Sequence, residues 1–266
     1  IARDERARRS PWAGGGSVVS GRLVLRRWLR DDPDSLAASA CSLLRAGPGS
    51  QRVEIISSLR AIGAVDLVGD ELLGMLDGPG STHDERRAVA TAASALGETR
   101  TTEGAVEGLV RALDGHTDPR VLANAARPIA RLALRSGGHD TARTALVPLL
   151  DDPAHRVRAS AVRGLLRLAR AEGDTAYEPA AVDALAAMLE DERAEHRLAG
   201  AWVAQRESAA IERGRGSVFG EIVTRVSALA TDELDARIRG RAERCAIRVL
   251  AGSRGAIGAT GRRAAA

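Results

Sequence analysis

Residues 144–173 read TALVPLLDDPAHRVRASAVRGLLRLARAEG, and this stretch decides the fold class. Leu146, Val147, Leu149 and Leu150 make a first, short apolar helix. Asp152-Pro153 then breaks the chain, because proline disfavours α geometry in the residue before it and suits the first turn of a new helix. Val157, Ala161, Leu165 and Leu168 follow at offsets of 0, 4, 8 and 11, one stripe on a helix of 3.6 residues per turn. A strand would alternate with a period of two, and that pattern is absent. The unit is therefore a helix, a tight turn and a second helix.

Outward from this stretch the unit recurs. A leucine followed by an acid closes the first helix at Leu76-Asp77, Leu113-Asp114, Leu150-Asp151 and Leu189-Glu190, at intervals of 37, 37 and 39 residues. Degenerate copies at Leu44-Arg45 and Leu229-Ala230 extend the series to six units. The period lies near that of two-helix repeats of the longer kind. Composition agrees, since 44% of the 266 residues are hydrophobic but only 2% are aromatic. A core of Ala, Leu, Val and Ile packs helices closely, and the strand-forming enrichment in aromatic residues is missing. The expected class is all-α.

On the second helix, Val157-Arg158-Ala159-Ser160-Ala161 gives a pattern that Ile238-Arg239-Gly240-Arg241-Ala242 nearly repeats. Arg87-Ala88-Val89-Ala90 fits it with Arg86 in the aliphatic place, and His196-Arg197-Leu198-Ala199-Gly200 is a weaker copy. The third unit has Leu122 at the arginine position, and the first has Glu54 there. These residues resemble the HEAT-repeat family, whose pattern runs Leu-Leu, Asp, a short turn, then Val-Arg-x-x-Ala. The resemblance spans roughly residues 35 to 250 and implies a right-handed α-α superhelix, a HEAT-repeat solenoid of about six helix pairs. Each pair has too small an apolar face to fold alone and buries it against its neighbours. The resemblance further implies that the second (B) helices line a concave surface and that Asp152 and Arg158 belong to a hydrogen-bonded ladder between units. Residues 1–34 are expected as an Arg/Gly-rich lead-in with one helix over 18–30, residues 35–251 as the solenoid, and residues 252–266 as a flexible tail. Pro148 and Pro128 should each remove a backbone hydrogen bond and bend their helices.

Signatures of catalysis are missing from the sequence. His83, His116, His139, His155 and His196 fall one by one at turns or termini, and no His-Glu pair occurs. Cys41 and Cys245 have no C-x-x-C or His neighbour and read as buried free thiols. Gly14-Gly15-Gly16 lacks the Lys-Ser/Thr of a phosphate loop, and there is no G-x-S-x-G elbow. The expectation is a non-enzymatic protein with no cofactor and no metal. No segment approaches the length of a membrane span, the longest apolar run being Leu198 to Ala204, and a cytoplasmic location is expected. The Arg-rich opening from Ile1 has no apolar region of the signal-peptide kind and reads as the start of a processed product or an excised piece.

Charge supplies the one feature beyond scaffold. All 39 basic residues are arginine, yet the net charge is only +4, which does not by itself mark a nucleic-acid binder. Arg120, Arg127 and Arg131 in the third unit match Arg156, Arg163 and Arg167 in the fourth, and Arg237, Arg244 and Arg248 in the sixth. Offsets of 7 and 11 point in nearly one direction on a helix, opposite the Val157–Leu168 stripe, so these arginines should face solvent. Residues 119–135 and 155–171 hold nine arginines and no acid, whereas the fifth unit adds Glu195, Glu207 and Glu212 near Arg206. Two readings stay open. The arginines either form a solvated face, some paired with acids of adjacent units, or line a groove for an acidic protein partner. The candidate partner-binding residues are Arg120, Arg127, Arg131, Arg156, Arg163, Arg167 and Arg170. A protein-protein interaction scaffold is the expected function, with nucleic acid or another polyanion on the same face as an alternative, and a regulatory or accessory part of a larger enzyme as another.

Overall fold

The structure, a computed structural model, describes residues 18–78, 80–100, 104–172, 178–208 and 220–263, with side chains placed for all of these except 18–20, 172, 178 and 250–263. Among the described residues there are thirteen α-helices, two 3₁₀ turns and no strand. Helix α1 (Val18–Asp31) comes first. Six A/B pairs follow: α2 (Pro33–Ala46) with α3 (Gly49–Ile62), α4 (Gly69–Leu76) with α5 (His83–Leu96), and α6 (Ala105–Gly115) with α7 (Pro119–Ser136). Then come α8 (His139–Leu146) with α9 (His155–Glu172), α10 (Glu178–Glu190) with α11 (Ala194–Arg206), and α12 (Gly220–Asp232) with α13 (Ala236–Arg263). The chain divides into two compact units, residues 1–138 and 139–266, each holding three pairs. Within each unit successive B helices touch one another, and so do successive A helices, the fourth pair meeting the fifth through the 3₁₀ turn Val147–Asp151; each unit is an α-solenoid stack of two helical layers.

The local chemistry explains why the pairs form where they do. Thr82 and Glu85 close a capping box at the start of α5: Thr82 Oγ1 accepts from Glu85 N at 3.2 Å and Glu85 Oε2 accepts from Thr82 N at 3.0 Å. Asp118 caps α7, accepting from Arg120 N at 2.8 Å, with Pro119 at the first helical position. Gly137 ends the same helix at φ 86°, a left-handed conformation that costs a glycine nothing. The stripe of the opening stretch is the core face of α9, as Val157, Ala161, Leu165 and Leu168 are all buried.

Both interior prolines have a structural place. Pro148 marks where α8 gives way, after Leu146, to the 3₁₀ turn Val147–Asp151, so the A helix changes type there. Pro128 lies inside the continuous 18-residue helix α7 and is buried against Gly97, where a Cβ would stand 2.5 Å from Pro128 Cβ. The previous helix ends on a residue without a side chain, and the ring occupies that space. Backbone helix continues along α13 to Arg263, through most of the segment expected as a loose tail; alanine and arginine are strong helix formers. The Arg/Gly-rich residues 1–17 and Glu212 lie outside the described residues.

Candidate functional site

Aligned on their first residues, the six B helices carry arginine at the fourth position as Arg52, Arg86, Arg158, Arg197 and Arg239, with Leu122 in the third pair. This corrects the motif register in the first two pairs, where Glu54 and Arg87 stood in that place. The cause is local. Glu85, the capping-box acid, occupies the position that holds an aliphatic residue in other copies, and Gln51 does so in the first. The fourth-position arginine turns back onto the carbonyls of its own A–B turn: Arg86 donates to Gly80 O and Ser81 O, both at 3.1 Å, and Arg197 to Asp191 O and Glu192 O at 2.9 and 2.7 Å. Arg52 reaches Arg45 O and Arg239 reaches Glu233 O in the same way.

Two of these arginines also cross to the next pair. Arg86 meets Asp118 at 3.2 Å, and Arg197 meets Glu233 at 2.7 Å. The expected Asp152–Arg158 rung is not made: Asp152 accepts instead from Ala154 N at 2.7 Å, and Arg158 Nε is buried without an acceptor among the described residues. The ladder exists, but it runs through other members. A second recurring device is an Asp-x-Arg clamp, in which Asp118, Asp191 and Asp235 each hold the arginine two residues on through its backbone N–H and its guanidinium. Hydrogen bonding to Arg120 draws the Asp118 carboxyl down to about 2, despite the opposing effect of burial. Arg120 is thereby committed to its own turn.

The positions expected to face solvent lie eight and twelve residues past the start of each B helix. In the first unit they hold Ser57 and Ala61, Thr91 and Ala95, then Arg127 and Arg131; in the second they hold Arg163 and Arg167, Trp202 and Arg206, then Arg244 and Arg248. At these two positions arginine is thus confined to the last pair of the first unit but runs through all three pairs of the second. Arg127, Arg131, Arg156 and Arg170 are exposed, as are Arg206, Arg244 and Arg248.

Arg163 departs from the expectation of a solvent-facing residue. Its side chain is 16% exposed, stacked over the Trp202 ring with the guanidinium carbon 5.1 Å from the centroid. Burial pulls its pKa down, against the raising effect of its hydrogen bond to Glu207. Glu207, 3% exposed, accepts on Oε1 from Arg163 Nε at 2.8 Å and from Arg167 Nε at 3.3 Å, and Arg170 Nη1 stands 3.8 Å from Oε2. Three of the seven candidate residues therefore converge on one acid of the adjacent pair. Of the seven, Arg120, Arg127 and Arg131 belong to the first unit and the other four to the second. The sequence places Glu207 beside Arg206 but does not show which arginines it meets, since it lies one residue beyond α11 and its partners are on α9; helical period alone passes over Trp202, which replaces the arginine of its row. Aligning helix starts would have found the tryptophan.

Elsewhere the groups with potential chemistry are quiet. Cys245 is buried and donates to Ala204 O at 3.2 Å, while Cys41 is only half-buried; burial raises both thiols to about 11. Among the described residues no group of three or more His, Cys, Asp or Glu is placed to hold a metal ion, and no helix is long and apolar enough to cross a membrane. A cleft of about 420 Å³ between the first two pairs has Leu44, Met75 and Val89 in its wall, together with Arg45, Arg52 and Glu71.

Residues 78–166 match the family model of HEAT repeats. Over these residues the chain is similar to HEAT repeats. The matched stretch runs from the A–B turn of the second pair into α9, so it takes in the Asp118 clamp and Arg163. Similar solved structures include the designed armadillo repeat protein YIII(Dq)4CqI, 19% identical over 85% of this chain and 99% of that one, with a TM-score of 0.47. Another is the designed armadillo repeat protein YIII(Dq.V1)4CPAF in complex with the peptide (KR)4, 16% identical over 86% and 98%, with a TM-score of 0.46. A third comes from computationally designed armadillo repeat proteins for modular peptide recognition, 19% identical over 84% and 99%, with a TM-score of 0.47. No curated protein matches the chain.

Proposed function

We propose that this HEAT-repeat chain is a non-catalytic protein-binding scaffold and that the B layer of its second unit receives an acidic segment of a partner protein. HEAT-type and armadillo-type repeat stacks commonly serve as binding scaffolds, because stacking produces an extended surface of repeated side-chain rows. One observation carries the choice of ligand. The rows Arg163–Trp202–Arg244 and Arg167–Arg206–Arg248 hold five arginines, and Glu207 is the only acid in ion-pair contact with them among the described residues. Such an uncompensated cationic surface attracts and orients acidic chains, and guanidinium forks match carboxylates in pairs. Of the original candidates, Arg156, Arg163, Arg167 and Arg170 belong to this face; Arg127 and Arg131 make a smaller cationic patch on the first unit, and Arg120 serves its turn. The high thiol pKa values support a role without catalysis.

Isothermal titration with an octaglutamate peptide at moderate salt tests this. The wild-type chain binds it, and Arg167→Gln, Arg206→Gln, Arg244→Gln and Arg248→Gln combined weaken binding at least about tenfold, a loss of about 1.4 kcal/mol. Unchanged binding in the quadruple variant would overturn the reading. So would preference for duplex DNA over the peptide, accompanied by the steep salt dependence of counterion release.

A further inference from the structure

We propose that Glu207 is a built-in competitor for the Arg163–Arg167–Arg170 clamp, which the carboxylates of an acidic partner segment must displace; this rests on the B-layer reading above. The clamp is occupied but underfilled. Arg163 and Arg167 each give Glu207 a single Nε–H bond, to the same oxygen, and Arg170 at 3.8 Å is beyond hydrogen-bond reach. A guanidinium carries five donors, so most of the fork capacity of the three residues is unspent on this carboxylate. Arg206 lies near enough to Arg163 to lower its pKa, adding a fourth cation against one acid.

Two further observations favour exchange over a fixed structural tie. Glu207 is the cap residue that follows α11, its N–H donating to Val203 O at 2.9 Å, so its side chain can turn away without breaking a backbone bond of α11. The Trp202 face already fixes the plane of Arg163, which leaves a preformed aromatic-backed guanidinium when Glu207 departs. A peptide carboxylate arriving at Arg167 and Arg170 can bond bidentately where Glu207 bonds once. The exchange is charge-for-charge, with one carboxylate entering as another moves to water. An acid tethered beside its site competes at an effective concentration on the order of millimolar, so its presence lowers the apparent affinity by the fraction of time it occupies the clamp.

The test is octaglutamate titration of the full chain as wild type, Glu207→Gln, Glu207→Asp and the quadruple arginine variant, with helicity followed in each. Glu207→Gln should bind about tenfold tighter than wild type, which corresponds to a competitor that holds the clamp some nine-tenths of the time. Glu207→Asp keeps the charge but withdraws it by one methylene, and should gain a smaller factor, about threefold, on the same scale. It decides the matter if Glu207→Gln does not fold. Wild-type binding with no gain in either variant overturns the competitor while leaving the B-layer reading in place. No binding by any protein, or equal binding by the quadruple variant, overturns both.

Discussion

Arg158 and Arg163 lie five residues apart on α9, yet one has its Nε buried without an acceptor among the described residues and the other bonds Glu207 in the B layer. Helical spacing groups Arg163 with Arg156 and Arg167 on one solvent-facing side, whereas the Arg163 side chain is only 16% exposed. What spacing could not supply was the pairing: Glu207 stands beside Arg206 in the sequence, but the arginines it accepts from, Arg163 and Arg167, belong to the preceding pair. Another residue-scale contact, between pairs, gives a pH dependence. The His155 and His196 rings meet edge to face with centroids 5.6 Å apart, among Arg156, Arg158, Asp191, Arg193 and Glu195. Burial, above all, lowers both imidazoles below their ordinary 6.5. The unfolded chain therefore takes up these protons first as pH falls, and stability should decline below pH 6.5 and be retained above it. Urea midpoints measured between pH 7.5 and 5.5 should show this decline, about halved in slope in His155→Phe, which keeps the ring contact and removes one titration. An unchanged slope in the variant would mean that the ring pair does not set the dependence.

At the scale of elements, the helix–turn–helix unit was readable because the Leu-acid ends and the 3.6-residue stripe are local signals. Register was not, since a motif with substituted members slides by one or two residues unless anchored at the helix cap, as Arg52 and Arg86 show. Nor was the neighbour that accommodates Pro128, because Gly97 belongs to the preceding B helix. The same closeness of B helices appears at Gly49, the first residue of α3, where a Cβ would stand 2.5 Å from the backbone carbon of Asp84. Backbone cannot rotate aside as a side chain can. Gly49→Ala should lower stability by about 2 kcal/mol, the range of overpacked sites, seen as a lower urea midpoint. A midpoint equal to wild type would mean that the α3–α5 contact yields without cost.

For the whole molecule, the six pairs were legible but their division into two units of three was not, because the leucine spacing of 37 residues runs evenly past the boundary at residues 138–139. Contact between pairs, unlike periodicity, is not written in any one segment. The division also relocates the candidate face: the sequence pointed to the third and fourth pairs, whereas the basic rows run through the fourth, fifth and sixth. Amide hydrogen exchange with and without octaglutamate tests the central claim most directly. Added protection is expected in α9 and α11 and in α13 up to Val249, with the A helices unchanged. Protection centred on the A helices, or none at saturating peptide, would contradict it.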